Sequence, residues 1–195
     1  MGKIKHLDKV LDLFEKSPVV DFKSIERIVK AKKNTKQYTK QMIRNLLLKN
    51  KIHRITKGYY SKYDMPSLAV FCFKPGYLGL QDALSFHNLW EQETIPVIIT
   101  TNKVRQGTRV ILGTNILIRR LDKKYMFGFE PHKDENLYLP YSDIEKTFID
   151  LIYFKENIGN DTLSAIEGQI DEKKLHNYLI NYPEKFRQTV LNKLT

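Results

Sequence analysis

A single cysteine, Cys72, stands in 195 residues, so no internal disulfide can form and the chain reads as one suited to a reducing cytoplasm. It lies in the apolar run Leu68-Ala69-Val70-Phe71-Cys72-Phe73, where a free thiol is expected as a small buried core residue. Histidine is also sparse. His6, His53, His87, His132 and His176 lie far apart, and none has a Cys, Asp or His partner at metal-ligand spacing, which argues against a zinc site. No stretch approaches the roughly 18 uninterrupted apolar residues of a membrane span. The opening MGKIKHLDKVLD lacks a signal-peptide apolar centre, and His6 stands where myristoylation of Gly2 needs Ser or Thr. Neither Gly76-Tyr77-Leu78-Gly79 nor Gly107-Thr108 joins a strand to a helix with the lysine of a phosphate loop. These absences point to a soluble cytoplasmic protein with no cofactor and no membrane partner.

Acid is scarce in the first third. Lys and Arg number 33 against 22 Asp and Glu, a formal charge of +11, and residues 1–63 hold 17 of those cations against 5 acids. The remainder is close to neutral, with 16 against 17. Such an imbalance favours an anionic partner, and 42% hydrophobic content is too much for a disordered chain.

Within that basic third, Leu7, Val10, Leu11 and Phe14 form the stripe of one amphipathic helix ending before Ser17-Pro18. Asp21 can cap a second, with Phe22, Ile25, Ile28 and Val29 on one face. The basic connector Lys30-Ala31-Lys32-Lys33-Asn34-Thr35 leads to a third helix, about Lys36 to Lys49, whose inward side is Tyr38, Met42, Ile43, Leu46 and Leu47. At 100° per residue, Gln37, Lys40, Gln41 and Arg44 gather opposite that stripe, as long donor-rich side chains must to reach base edges from a major groove. Ile52 to Thr56 and Tyr59 to Tyr63 read as two strands about Lys57-Gly58, the glycine supplying a positive φ. Three helices and a basic hairpin predict a winged helix-turn-helix over residues 1–63. Thr35, Lys36, Lys51, Arg54 and Lys57 are the expected phosphate contacts. The same fold could instead dock a protein, with the lysines serving solubility.

Asp64-Met65-Pro66-Ser67 marks the expected boundary to a second domain, 64–195. It reads as a mixed α/β unit, so the whole chain is α+β. The run to Phe73 reads as a strand and Gly79 to His87 as a short helix. Ile95–Thr101, Thr108–Leu112, Ile116–Leu121 and Tyr125–Phe129 read as strands, with Leu137–Leu139 as one more. Ser142 with Glu145 suggests a capping box before a mostly buried helix, and helices return after Gly159. The sum is a sheet of about four to five strands with C-terminal helices.

Three blocks of this domain resemble the AbiEi antitoxin family, transcriptional regulators of abortive-infection toxin-antitoxin systems of type IV. They are Tyr77-Leu78-Gly79-Leu80-Gln81-Asp82-Ala83-Leu84-Ser85-Phe86-His87-Asn88-Leu89, Thr94-Ile95-Pro96-Val97-Ile98-Ile99-Thr100-Thr101, and Ser142-Asp143-Ile144-Glu145-Lys146-Thr147-Phe148-Ile149-Asp150-Leu151-Ile152-Tyr153. The Lys57-Gly58-Tyr59-Tyr60 turn fits the same family, which often has Ser-Pro before the Glu-Lys pair where this chain has Ser142-Asp143-Ile144. The resemblance implies a repressor, part of a viral-defence system, that binds inverted repeats in its own promoter; the geometry of palindromic sites leads one to expect a homodimer, or two monomers on adjacent half-sites. It also implies a C-terminal domain acting against a cognate nucleotidyltransferase-like toxin; a stand-alone regulator fits the residues equally.

A catalytic reading is not favoured. Asp143, Glu145 and Lys146 invite comparison with metal-dependent nucleases, which usually place Glu and Lys two apart on a strand. Here they are adjacent on a helix and point about 100° apart, as a capping box and a surface charge would. Asp150, near Tyr153, reads as a buried hydrogen-bonding group. Arg119-Arg120, with Lys103 and Arg105, could extend a DNA contact or meet an acidic partner, only one of the pair facing inward.

Overall fold

Pro18, Asp21 and Gly58 punctuate the first third, and the elements begin and end around them. The computed structural model describes residues 6–30, 34–134 and 136–194. It divides into two compact units, Met1–Cys72 with Val110–Thr114, and Phe73–Arg109 with Asn115–Thr195.

In the first unit, α1 (Leu7–Lys16) ends ahead of Pro18, and β1 (Val20–Asp21) leads directly into α2 (Phe22–Val29). Asp21 caps α2: its carboxylate accepts from the Ser24 amide at 3.0 Å and the Ser24 hydroxyl at 2.7 Å. Partial burial works to raise this carboxyl, and the Ser24 hydrogen bonds outweigh it, holding Asp21 below the ordinary carboxylate range. The connector residues 31–33 lie outside the described residues. Next come α3 (Thr35–Leu48), β2 (His53–Thr56) and β3 (Tyr59–Ser61). The sheet order is β1-β3-β2, antiparallel throughout, with a bulge at Ile55. Gly58 turns the β2–β3 hairpin at φ +84°, where a Cβ would be strained, and its carbonyl accepts from the Phe22 amide at 2.8 Å. Val10, Phe14, Val20, Ile25, Val29, Met42, Ile43, Leu46 and Ile52 form the core. Sequence reasoning missed β1, which is only two residues long. It also placed Tyr38 inward, whereas Tyr38 is exposed and Thr39 is fully buried, its hydroxyl donating to the Thr35 carbonyl at 2.8 Å. That back-bond satisfies the hydroxyl locally, so the smaller side chain takes the crowded position.

The apolar run expected as a strand is instead a 3-10 segment, Pro66–Phe73, with Leu68, Ala69 and Val70 inaccessible. An unbroken apolar run has no period to separate a buried strand from a buried helix, and a leading proline suits the latter. Cys72 is half-buried rather than core.

A six-stranded sheet, one or two strands more than expected, belongs to the second unit apart from its Val110–Thr114 portion. Its strands are β4 (Gly76–Leu78), β5 (Val97–Thr100), β6 (Gly107–Ile111), β7 (Thr114–Arg120), β8 (Phe129–Asp134) and β9 (Leu137–Ser142), in the order β6-β7-β5-β4-β9-β8. β5 is antiparallel to β4 and parallel to β7, and β4 is parallel to β9. All four β5 residues are buried, as the unbroken Val-Ile-Ile-Thr text requires of an interior strand. Tyr125–Phe129 is not a strand: Lys123–Tyr125 is a 3-10 turn and Gly128 sits at φ +71°. A Cβ there would come within 2.8 Å of the Lys146 Cβ and 2.9 Å of the Tyr178 ring. β8 starts only after that glycine, and its polar, proline-containing text suits a sheet edge bonded on one side to β9.

Packed with this sheet are α4 (Gln81–Phe86), α5 (Ile144–Tyr153), α6 (Asn160–Glu167), α7 (Glu172–Leu179) and α8 (Glu184–Leu191). Tyr77, Leu84, Ile99, Phe148, Ile149 and Leu179 are among the core they share. The molecule is thus mixed α+β. Among the described residues no helix is long and apolar enough to cross a membrane.

Candidate nucleic-acid interface

α3 buries Met42, Ile43 and Leu46 and turns Gln37, Lys40, Gln41 and Arg44 outward; all four are exposed. Gln41 Nε2 donates to Asn45 Oδ1 at 3.2 Å, one turn on, which orients its amide along the helix. Thr35 is the half-buried first residue of α3 and Lys36 is exposed beside it. Lys51 follows α3 and its side chain is exposed near Leu46 and Lys49. Arg54 on β2 and Lys57 in the hairpin turn are exposed as well.

The acids of this unit do not neutralise these cations. Asp12 pairs with Lys16 and Glu15 with Lys62, while among the described residues Lys36, Lys40, Arg44, Lys51, Arg54 and Lys57 meet no carboxylate in an ion pair. Six charges are left open to solvent. Surface cations in water are weakly bound to their surroundings and can exchange hydration for phosphate oxygens, releasing counterions from a polyanion.

In the second unit, the expected surface charge on α5 is buried. Lys146 and Asp150 are both inaccessible and form an ion pair one helical turn apart. The Tyr77 hydroxyl donates to the other oxygen of Asp150, and Tyr182 lies 3.4 Å from Lys146 Nζ. Burial pushes Lys146 down and Asp150 up, with their mutual attraction opposing both shifts, and burial together with the Asp150 charge pushes the Tyr77 hydroxyl well up. The α5 cap is Asp143, whose carboxylate accepts from the Lys146 amide at 2.8 Å. Ser142 belongs to β9, and its hydroxyl lies 2.7 Å from that of Thr147. Glu145 is also buried, accepting from the Asp171 amide at 2.9 Å. Lys174 reaches Asp143 and Glu145, each at 3.1 Å. The fold therefore ties Asp143, Glu145 and Lys146 into packing contacts. A helical wheel could not reveal this, because α7 and Gly128 close over the charged side of α5 from distant parts of the sequence.

A second polar corner joins α4 to β8 and β9. His87 and His132, 45 positions apart in sequence, have ring centroids 6.0 Å apart. His87 Nε2 donates to the Ser142 carbonyl at 2.7 Å, and Phe86 stacks on Tyr141 at 4.2 Å. Asp82 accepts from the Val97 amide at 3.1 Å; burial, opposed by that bond and aided by nearby Asp134, pushes its carboxyl up to about 7. Tyr141 donates to Asp134 at 3.0 Å. The histidines are thus not all isolated, yet among the described residues no group of three or more His, Cys, Asp or Glu could hold a metal ion. Of the Arg119-Arg120 pair, Arg119 binds Glu156 at 2.6 Å and packs over Phe154, while Arg120 is exposed.

No family model and no curated protein matches this chain. Among solved structures, the RV2827C protein from Mycobacterium tuberculosis is similar, with a TM-score of 0.57 over 96% of this chain and 76% of that one. The two are 12% identical, so the likeness concerns the fold alone.

Proposed function

We propose that this protein is a sequence-specific double-stranded DNA-binding regulator, an autorepressor of the antitoxin type, whose residues 1–63 act as a winged helix-turn-helix. α3 is the recognition helix and the β2–β3 hairpin the wing. Gln37, Lys40, Gln41 and Arg44 read base edges, and Thr35, Lys36, Lys51, Arg54 and Lys57 hold phosphates. The observation that carries this reading is the acid-free, exposed face of α3, backed by a buried apolar face that anchors it. The test is a footprint on the DNA upstream of the protein's own gene. Protection of an inverted repeat is the expected result; equal protection of unrelated sequence at the same salt speaks against sequence-specific reading.

The second unit supports a further role, control of a nucleotidyltransferase-like toxin. The three blocks that resemble AbiEi antitoxins come together here: Leu78 pairs with Ile98, His87 binds the Ser142 carbonyl, and Tyr77 binds Asp150. Co-purification with the product of a neighbouring gene, and rescue from its toxicity by a full-length Arg44→Ala variant, separates this role from DNA binding.

A further inference from the structure

The first unit contains an apolar groove that shares only Lys51, on its rim, with the proposed DNA contacts. Leu7, Leu11 and Phe14 of α1 and Met42 and Leu46 of α3 line a cavity of about 400 Å³. That volume lies within the range of about 300–1,000 Å³ typical of small-ligand sites. The rim is of a different character: Lys49, Lys51 and Lys62 stand on it with Asn45 and one acid, Glu15. Glu15 is taken by Lys62, so Lys49 and Lys51 bring ammonium groups that meet no carboxylate among the described residues. An apolar floor under a cationic rim rejects amines by like-charge repulsion and offers an alcohol only a hydrogen bond to a neutral oxygen, weaker than the charge-assisted bond to an anion. It complements a molecule with an aliphatic body and an anionic head.

We infer that the α1–α3 groove is a binding site for a medium-chain aliphatic carboxylate, its chain against Leu11, Phe14, Met42 and Leu46 and its head between Lys49 and Lys51. Each methylene added while the groove still has room strengthens binding about fourfold, the effect of burying one methylene. The charge-assisted contacts to the two lysines supply the preference for an anion.

The test titrates the full chain calorimetrically with decanoate, decan-1-ol and decylamine, below their aggregation limits, and follows the ¹³C-methyl resonance of Met42. Decanoate is expected to saturate one site and shift Met42, to exceed octanoate by about 16-fold, and to exceed the alcohol by at least tenfold, with no saturation by the amine. Leu11→Trp, which fills the groove, should weaken decanoate more than tenfold. Lys49→Gln combined with Lys51→Gln, at exposed positions that leave the core intact, should bring decanoate down to the level of the alcohol. An unmoved Met42 resonance, equal binding of the three head groups, or indifference to the double lysine change overturns the inference. So does sedimentation showing a dimer that Leu11→Trp dissociates and decanoate leaves intact, since a second copy then fills the groove. None of these measurements involves DNA, so the outcome is independent of the DNA-binding reading.

Discussion

Lys146 has no exposed surface, and its ammonium group depends on Asp150, with the Tyr77 hydroxyl completing the carboxylate's contacts. Removing one partner strands the other in a low-dielectric interior, whereas replacing both with apolar groups removes the desolvation penalty along with the attraction. Asp150→Ala should therefore cost about 3–5 kcal/mol in urea unfolding, and the double change Lys146→Met with Asp150→Leu should cost less than that single one. Asp82 provides a residue-scale pH response. Its carboxyl is raised from the ordinary 3.8 to about 7 in the folded protein, so between those values the unfolded chain has released a proton that the folded one retains. Its contribution to stability is complete below the lower value and is lost as pH rises through about 7, by up to about 1.4 kcal/mol per pH unit. Urea unfolding from pH 4 to 7 should show that fall in the parent and a flatter profile in Asp82→Asn. At this scale the sequence was an uneven guide. Asp150 was legible as a buried hydrogen-bonding group, but Glu145 and Lys146 looked like surface charge, because their type and helix position say nothing of what packs over them.

Among the elements, α3 and the β2–β3 hairpin were the most legible. A 3.6-residue apolar period and a glycine between two short β-prone runs are local signals, and local backbone preference is enough to honour them. Their proposed roles differ in a measurable way. Arg44→Ala should cost about 1–3 kcal/mol in binding and relax discrimination at one position of the operator. Lys57→Ala should weaken binding to all sequences alike and reduce the salt slope by about one unit, read by fluorescence anisotropy on operator and scrambled duplexes. The elements misread were those without a usable period. Pro66–Phe73 is apolar on every side; Tyr125 and Phe127 look like strand residues but spend their aromatic rings on Tyr182 and Tyr178. β8 was hidden by its charge and its proline, both tolerable on a strand bonded along one edge.

For the whole molecule, the controlling property is where charge lies. If the four assigned backbone cations, Lys36, Lys51, Arg54 and Lys57, each neutralise a phosphate, the logarithm of the DNA association constant should fall with the logarithm of salt concentration at a slope of about −3.6. Anisotropy titrations at several salt concentrations measure it, and a flat response is incompatible with phosphate contact. The location of the cation excess, the amphipathic helices of the first third and the β-rich middle were all determined by the sequence, because each depends on composition or on spacing within a few residues. Tertiary structure decided the rest: the pairing of β4 with β9, the enclosure of Lys146 and Asp150, the meeting of His87 with His132 and the α1–α3 groove. Those arise where segments tens of residues apart must share one interior, and which side chain fills a given space there is set by the neighbours that packing brings, not by the residues beside it in the chain.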